Sequence, residues 1–152
     1  MDYLARIVKG YGAATPRNDC SGKTFRQTAD IAYIYTDAWN VATEENNFTP
    51  IGGYGYPFRG TFDGQGHTIS GIRVYKDGSS ASSAAGSLGL FGYVDGGTVK
   101  NVVLRDAVIR GYDNIGGLVG YLKNGTISDC FVENTLVKYA DTIFDYGIIA
   151  DA

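Results

Sequence analysis

The chain has 152 residues, the length of one ordinary domain, with 44% hydrophobic residues and only 19% charged ones. Glycine accounts for 22 residues and aromatic residues for 13%, a composition typical of short strands joined by tight turns and unlike that of a coiled coil or a disordered segment. The net charge of −3 and the pI of about 5.0 argue against a nucleic-acid-binding protein.

Targeting signals are absent from the sequence as given. No apolar run approaches the roughly 18 residues that a membrane-spanning helix needs. Residues 1–6 lack the basic start and apolar stretch of a signal peptide. From these observations alone, we expect an intracellular protein or one whose leader is not part of this sequence.

The first predicted element is a short amphipathic helix over residues 3–8. Leu4, Ile7 and Val8 share one face of such a helix, and Gly10 and Gly12 follow as stop signals. An apolar-faced helix in front of a β-rich region is expected to cover one end of it.

A strand and an aromatic segment come next. Residues 23–31 alternate between polar and apolar side chains and predict a first strand. Residues 33–58 are crowded with aromatic side chains, and Pro50 and Pro57 disfavour long strands there. We expect part of this set to fill the first turn of the fold: Trp39, Phe48 and Phe58. The alternative is that these aromatic rings stack on sugar rings.

An internal repeat dominates the rest of the chain. Residues 89–99 match residues 117–127, which lie 28 positions further on. A looser earlier copy starts at Phe58, so that three copies occupy residues 58–137. Each copy holds two or three short alternating runs separated by glycine, with no helix between them.

This pattern predicts an all-β fold, a short parallel β-helix, because a coil of about 28 residues with short strands stacks like positions about 4.8 Å apart. A β-sandwich with accidental self-similarity is the alternative, but a sandwich would not hold one register over three copies. Three internal ladders are predicted: Ile69, Val99 and Ile127; Phe62, Val94 and Leu122; and Val74, Leu104 and Val132. Val99, Leu104, Ile127 and Val132 are expected to be core residues.

The two cysteines do not form a disulfide framework. Cys130 holds the ladder position of Val102, whereas Cys20 precedes the first coil. We therefore predict that they are not bonded to each other and that Cys130 acts as a small hydrophobic residue.

The predicted domain is single and spans residues 1–152. Residues 1–57 form the cap and first coil, residues 58–137 the three repeat coils, and residues 138–152 the start of a further coil. Residues 76–87, rich in Gly, Ser and Ala, are expected to form a loop that replaces the strand at Val108–Ile109 of the next copy. An uncovered C-terminal coil face invites self-association through that open end or binding of a partner.

The motifs resemble a known repeat family. Residues 58–72, FRGTFDGQGHTISGI, resemble the opening of the GLUG-repeat proteins, and Gly89-Leu90-Phe91-Gly92 and Gly117-Leu118-Val119-Gly120 resemble the repeat itself. Phe48 stands where the family has Trp, and Ala32-Tyr33 where it has Asp-Leu. The resemblance implies a right-handed parallel β-helix with an N-terminal capping helix, from a secreted or cell-surface, adhesin-like bacterial protein. It assigns no catalytic residue.

Few polar residues suggest chemistry. His67 is the single histidine and is expected to serve the turn that contains it. Asp63 and Asp95 are predicted to stack on adjacent coils; such a pair could act in a glycosidase or bind Ca²⁺, but Lys123 in the same column favours a structural role. A second polar column, Asn101 and Asp129, predicts an Asx ladder at a corner.

The candidate ligand contacts are aromatic. They are Tyr54, Tyr56, Tyr93 and Tyr121, of which the last two form one column whose direction the sequence leaves open. No catalytic residue, cofactor or metal ligand is predicted.

We predict a non-enzymatic extracellular adhesion or spacer module of a larger bacterial surface protein, with a glycan or a host or bacterial surface protein as partner. A glycan-binding or carbohydrate-active β-helix is the alternative, and a soluble protein that binds another protein through its open end is a third. A deep groove with converging acids would favour the carbohydrate-active alternative.

Overall fold

The protein is an all-β parallel β-helix with one short helix at its N-terminal end. The computed structural model describes residues 1–10, 17–36, 46–76 and 86–139. The elements are α1 (Asp2–Lys9), β1 (Thr24–Arg26), β2 (Ile31–Ala32), β3 (Thr61–Asp63), β4 (Thr68–Ser70), β5 (Arg73–Tyr75), β6 (Phe91–Asp95), β7 (Thr98–Lys100), β8 (Val103–Arg105), β9 (Val108–Gly111), β10 (Val119–Lys123), β11 (Thr126–Ser128), β12 (Phe131–Glu133) and β13 (Leu136–Tyr139).

Among the described residues, the named strands pair only between coils, and each of these strand pairs is parallel. Coil 1 contains β1 and β2, coil 2 contains β3–β5, coil 3 contains β6–β9 and coil 4 contains β10–β13. The four sheets run in the orders β1-β3-β7-β11, β10-β6, β12-β8-β4-β2 and β13-β9-β5. The predicted fold class is confirmed, and its right-handedness and the predicted domain boundaries stay predictions.

The repeat spacing of 28 residues is confirmed between coils 3 and 4. Val94 pairs with Leu122, Val99 with Ile127 and Leu104 with Val132. Backbone hydrogen bonds hold this register at the corners as well, for example from the amide of Thr126 to the carbonyl of Gly97 at 2.9 Å.

The predicted register of coil 2 is wrong by one strand. Phe62 pairs with Val99 rather than with Val94, Ile69 with Leu104 rather than with Val99, and Val74 with Ile109 rather than with Leu104. Each short strand is followed by a similar glycine or Asx corner, so a slip by one strand keeps apolar residues opposite apolar residues. Sequence matching therefore cannot detect the slip.

Two further predictions change with this register. No loop stands opposite Val108–Ile109 in coil 2, because strand β5 pairs with β9 there. Of the predicted loop, residues 77–85 lie outside the described residues. The first predicted strand is two strands, β1 and β2, with a corner between them. There the buried Gln27 side chain donates to the carbonyls of Ala29 at 2.9 Å and Thr68 at 3.1 Å.

The corners use left-handed backbone, which glycine and Asx residues tolerate best. Gly71, Asp106 and Asn134 follow the strands of one sheet with φ of 78°, 53° and 43°. Asn101 and Asp129 follow the strands β7 and β11 of another sheet with φ of 53° and 52°, so their predicted position at a corner is confirmed. These residues turn the chain where a β-branched side chain would be strained.

The interior is fully covered in coil 3 and only half covered in coil 4. Val94, Val99, Leu104 and Ile109 are each 0% exposed. Their ladder partners are much more exposed, with values of 41% for Leu122, 41% for Ile127, 48% for Val132 and 40% for Val137. The prediction that Ile127 and Val132 are core residues is therefore wrong, because among the described residues coil 4 is packed on one side only.

The N-terminal end is capped as predicted. Leu4, Ala5 and Val8 of α1 are buried and belong to the same apolar cluster as the coils. Gly10, with φ of 77°, ends the helix and donates its amide to the carbonyl of Arg6 at 2.9 Å.

Two of the three predicted aromatic plugs are confirmed. Phe48 and Phe58 are buried, and Trp39 lies outside the described residues. The rings of Phe48 and Tyr33 meet edge to face with their centroids 5.3 Å apart, and the ring centroids of Phe58 and Phe91 lie 5.1 Å apart. Aromatic rings thus fill the wide N-terminal coils.

Both thiols are free, as predicted: Cys20 is buried and Cys130 partly buried. Burial raises the pKa of both. A raised pKa keeps the thiols in the protonated form, which is less reactive than the thiolate. We therefore interpret both cysteines as packing residues. The Cys130 thiol donates to the carbonyl of Ser128 at 3.2 Å.

The difference between coils 3 and 4 predicts unequal stability effects for two identical truncations. Ile109→Ala should lower the free energy of unfolding by about 2–5 kcal/mol, because it opens a cavity in a closed core. Ile127→Ala removes the same atoms from a half-exposed ladder position and should cost less than half as much. Urea unfolding followed by circular dichroism measures both; equal losses would show that coil 4 is covered after all.

Candidate functional site

A column of three tyrosine rings lies on the outside of the solenoid. Tyr93 and Tyr121 are paired in register between coils 3 and 4, and their rings meet edge to face with centroids 4.8 Å apart. The ring of Tyr54 lies on the other side of Tyr93, at 6.2 Å. The structure thus brings together three of the four aromatic residues predicted as ligand contacts.

The column points outward, yet its middle ring is covered. Tyr93 is 6% exposed, compared with 65% for Tyr54 and 42% for Tyr121. Tyr93 lies outside the core cluster that contains its neighbour Val94. It is therefore covered by the two flanking tyrosines, Tyr54 and Tyr121.

Close backbone approach places Tyr54 beside the column. A Cβ atom on Gly92 would lie 2.5 Å from the carbonyl oxygen of Gly52, so only glycine lets the two segments meet. Two backbone hydrogen bonds then join Ile51 to coil 3. The Ile51 amide donates to the carbonyl of Leu90 at 3.0 Å, and the Ile51 carbonyl accepts from the amide of Gly92 at 2.8 Å.

A tight turn completes this placement. Gly53 and Tyr56 exchange both backbone hydrogen bonds, at 3.1 and 3.0 Å. Tyr54 and Gly55 therefore stand at the tip of a two-residue turn. The anchored segment and the turn together hold the ring of Tyr54 against that of Tyr93.

Charged side chains border the tyrosines. Arg59 donates to Asp95 at 2.7 Å and lies 3.8 Å from Asp19. Lys123 is the strand partner of Asp95 in coil 4, and Asp113 and Asn114 come from the turn after β9. One open cleft of about 720 Å³ is lined by the three tyrosines and by the charged and polar side chains Arg59, Asp95, Asp113, Asn114 and Lys123.

Tyr56 does not join this cleft. Its ring packs against Gly53, where an added Cβ would lie 2.6 Å from the ring carbon Cζ. The guanidinium carbon Cζ of Arg17 also lies over this ring, 5.5 Å from its centroid. Tyr56 is half-buried and belongs to the packing of the N-terminal coils.

Sequence reasoning did not assign ligand contact to Arg59, Asp113 or Asn114. Arg59 meets Asp95 because the amide of Phe58 bonds to Tyr93 at 2.9 Å and that of Asp95 to Phe58 at 3.1 Å. That juxtaposition depends on the register between coils 2 and 3, which the sequence did not reveal.

Asp63 and Asp95 do not stack, contrary to the prediction. Asp63 lies opposite Lys100 and accepts hydrogen bonds from Asn101 Nδ2 at 2.9 Å, the Gln65 amide at 3.0 Å and Gln65 Nε2 at 2.8 Å. These donors, the Asn101 amide foremost, lower the pKa of the Asp63 carboxyl. The carboxylate holds a corner together and is no partner for Asp95 in an acid–base pair.

His67 also serves a corner. Its Nδ1 lies 3.1 Å from Asp30 Oδ1, which accepts the amide of Thr68 at 2.9 Å. The Thr68 hydrogen bond and then the His67 contact lower the pKa of Asp30. The residues the structure describes contain no group of three or more His, Cys, Asp or Glu side chains placed to hold a metal ion.

The comparisons with known proteins agree with the repeat. Residues 111–137 match the family model described as the GLUG motif. The fourth coil carries a GLUG motif. The family resemblance inferred from the sequence is thereby confirmed for this coil. The match runs from the end of β9 through Gly117, which precedes β10, and Gly120, which lies within β10, to β13.

A relative named halomucin, from Haloquadratum walsbyi (strain DSM 16790 / HBSQ001), is 36% identical over 98 residues. The match covers 60% of this chain and 1% of halomucin, so the chain spans about 1% of the length of that relative. No solved structure matches the chain. In the described part of the chain, no helix has the length and apolar character needed to cross a membrane.

The hydrogen bonds around Asp63 predict a pH dependence of stability. The folded-state pKa lies below the usual value, so the stabilisation is present above the unfolded-state pKa of about 3.9 and is lost as the pH falls through the folded pKa. Wild type should melt higher than Asp63→Asn at pH 7, and the gap should shrink towards pH 3. Thermal melts across this range measure it; a constant gap would contradict the prediction.

Proposed function

We propose that this chain is a non-enzymatic solenoid module of a larger surface protein, acting in adhesion or as a spacer. The carrying observation is the continuous in-register stacking of coil 3 on coil 4, residue for residue, from Val94 on Leu122 to Ile109 on Val137. Such a stack extends by adding like units, each contacting only its neighbours. That property suits a protein that must span distance at a surface.

The polar contacts support a non-catalytic role. Asp63 is engaged by three donors at a corner, and Asp95 is paired with Arg59. His67 and Asp30 fasten coils 1 and 2 together. Asp63, His67 and Asp30 thus act as structural links at corners and between coils.

The comparisons support the surface assignment. The GLUG motif in coil 4 and the similarity to a segment of halomucin, a far longer protein, support a module of a larger protein, and a secreted or cell-surface location follows from the proposal. A glycan or a surface protein is the proposed partner of the adhesive form.

The location can be tested directly on cells of the source organism. An antibody raised against the folded chain should label intact cells, and brief external protease treatment should remove the signal. An antibody against a cytosolic protein, which should label only permeabilised cells, is the control. Labelling of this chain only after permeabilisation would refute the surface assignment.

We also propose self-association through the exposed coil 4 face, with a second copy of the chain as occupant. The inward row of coil 4 is apolar like the inward row of coil 3, and its residues are Leu122, Ile127, Val132 and Val137. The exposed face of coil 4 is therefore similar in chemistry to the face that coil 3 presents to coil 4. Half-exposed apolar side chains beside open strand edges favour pairing with another chain.

Light scattering over a dilution series tests this pairing. The wild-type mass should fall towards that of a monomer on dilution, and Val132→Glu, which charges the coil face, should be monomeric throughout. Phe131→Glu is the matched control, because Phe131 is also exposed, at 64%, but is the neighbour of Val132 on the other face of β12. A wild type that is monomeric at all concentrations would contradict the pairing.

A further inference from the structure

We propose that the tyrosine cleft binds a neutral oligosaccharide, with the rings of Tyr54 and Tyr121 as stacking platforms. The cleft is lined by Tyr54, Tyr93 and Tyr121 together with Arg59, Asp95 and Asn114. This inference deepens the proposed function, because it gives the glycan partner of the adhesive form a binding site; its evidence is the chemistry of this one surface.

The aromatic rings are presented to solvent in a fixed geometry. Tyr93 is held between the other two rings, with centroids 6.2 Å from Tyr54 and 4.8 Å from Tyr121. Tyr54 and Tyr121 keep 65% and 42% of their surface exposed. Rings that are already packed lose little side-chain freedom on binding, and a tyrosine offers both an apolar face and a hydroxyl.

The lining favours a sugar over an apolar peptide. Among the described residues around the cleft, those other than the tyrosines and Pro57 are polar, charged or glycine, and none of them is aliphatic. A hydrophobic anchor of a protein partner would find no pocket of its own kind. The C–H face of a sugar ring, in contrast, needs only a flat aromatic surface, and its hydroxyls need hydrogen-bond partners around it.

The charges favour a neutral ligand. In the part of the lining that the structure describes, the cationic side chains Arg59 and Lys123 are balanced by the anionic Asp95 and Asp113. Arg59 and Asp95 are already paired at 2.7 Å. A cleft without excess positive charge has no electrostatic preference for an acidic glycan or a phosphate-bearing chain.

The polar groups are also preorganised. The side chain of Asp95 is 16% exposed and is oriented by Arg59, which itself stays 45% exposed. Asn114 adds an amide that can both donate to and accept from a hydroxyl. A few fixed polar groups beside aromatic faces are the usual means by which a small-ligand site sets orientation.

The test begins with an array of neutral oligosaccharides, among them cellohexaose, laminarihexaose and mannohexaose, with oligogalacturonates as acidic counterparts. The strongest neutral ligand is then titrated by calorimetry against wild type and variants. Tyr121→Ala should weaken binding about tenfold, and Tyr121→Phe should retain it because the stacking face remains. Tyr3→Ala is the matched control, since Tyr3 is 76% exposed on α1, away from the cleft, and should bind like wild type.

Each variant is first checked for an unchanged circular dichroism spectrum and melting temperature. If Tyr121→Ala fails this check, Tyr54→Ala replaces it, because Tyr54 is a turn-tip residue whose loss leaves the ladders intact. Three results would overturn the proposal: no neutral oligosaccharide binds, only acidic ones bind, or the cleft variants bind as well as Tyr3→Ala. These results leave the cell-labelling test of the module function unaffected.

Discussion

The stacking of one coil on the next is the interaction on which this structure depends. Every strand in the described part of the chain is short, between two and five residues, and would not persist alone. Coil 3 is held on both faces, as shown by Val99, which has Phe62 on one side and Ile127 on the other. The buried interior and the regular backbone pairing are two consequences of the same register.

The two ends of the stack are built differently. At the N-terminal end, α1 and the aromatic rings of Phe48 and Phe58 close the interior with bulky side chains. At coil 4, the inward row repeats that of coil 3 and keeps about two fifths to one half of each side chain exposed. The described coils are therefore closed by a helix and aromatic rings at one end, and at the other they present an apolar row similar to that of coil 3.

The outer surface depends on the same register. Tyr121 lies beside Tyr93 because their strands pair in phase, and Arg59 reaches Asp95 because Phe58 is bonded to the strand of Tyr93. Glycines at positions 52 and 92 let the turn of Tyr54 come close enough to cover Tyr93. A shift of one residue would separate these side chains and would turn inward residues such as Val94 and Leu122 towards the outer face.

The sequence by itself determined the class of fold and much of the corner chemistry. Copies 28 residues apart specified the pairing of coils 3 and 4, and the helix at Leu4 and Val8 followed from simple periodicity. Asn101 and Asp129 were correctly placed at a corner because Asx residues tolerate left-handed backbone.

Only the tertiary structure decided the register of coil 2, the burial of Tyr93, the exposure of Ile127 and the separation of Asp63 from Asp95. Corners of similar sequence make neighbouring strands interchangeable in a one-dimensional comparison, so Phe62 matches Val94 as well as it matches Val99. Exposure likewise depends on what lies above and below a coil, which the pattern within that coil does not record. Hydrogen bonds between coils define the register, because each amide has a single partner in space. The position of a coil within the stack defines the exposure of its residues.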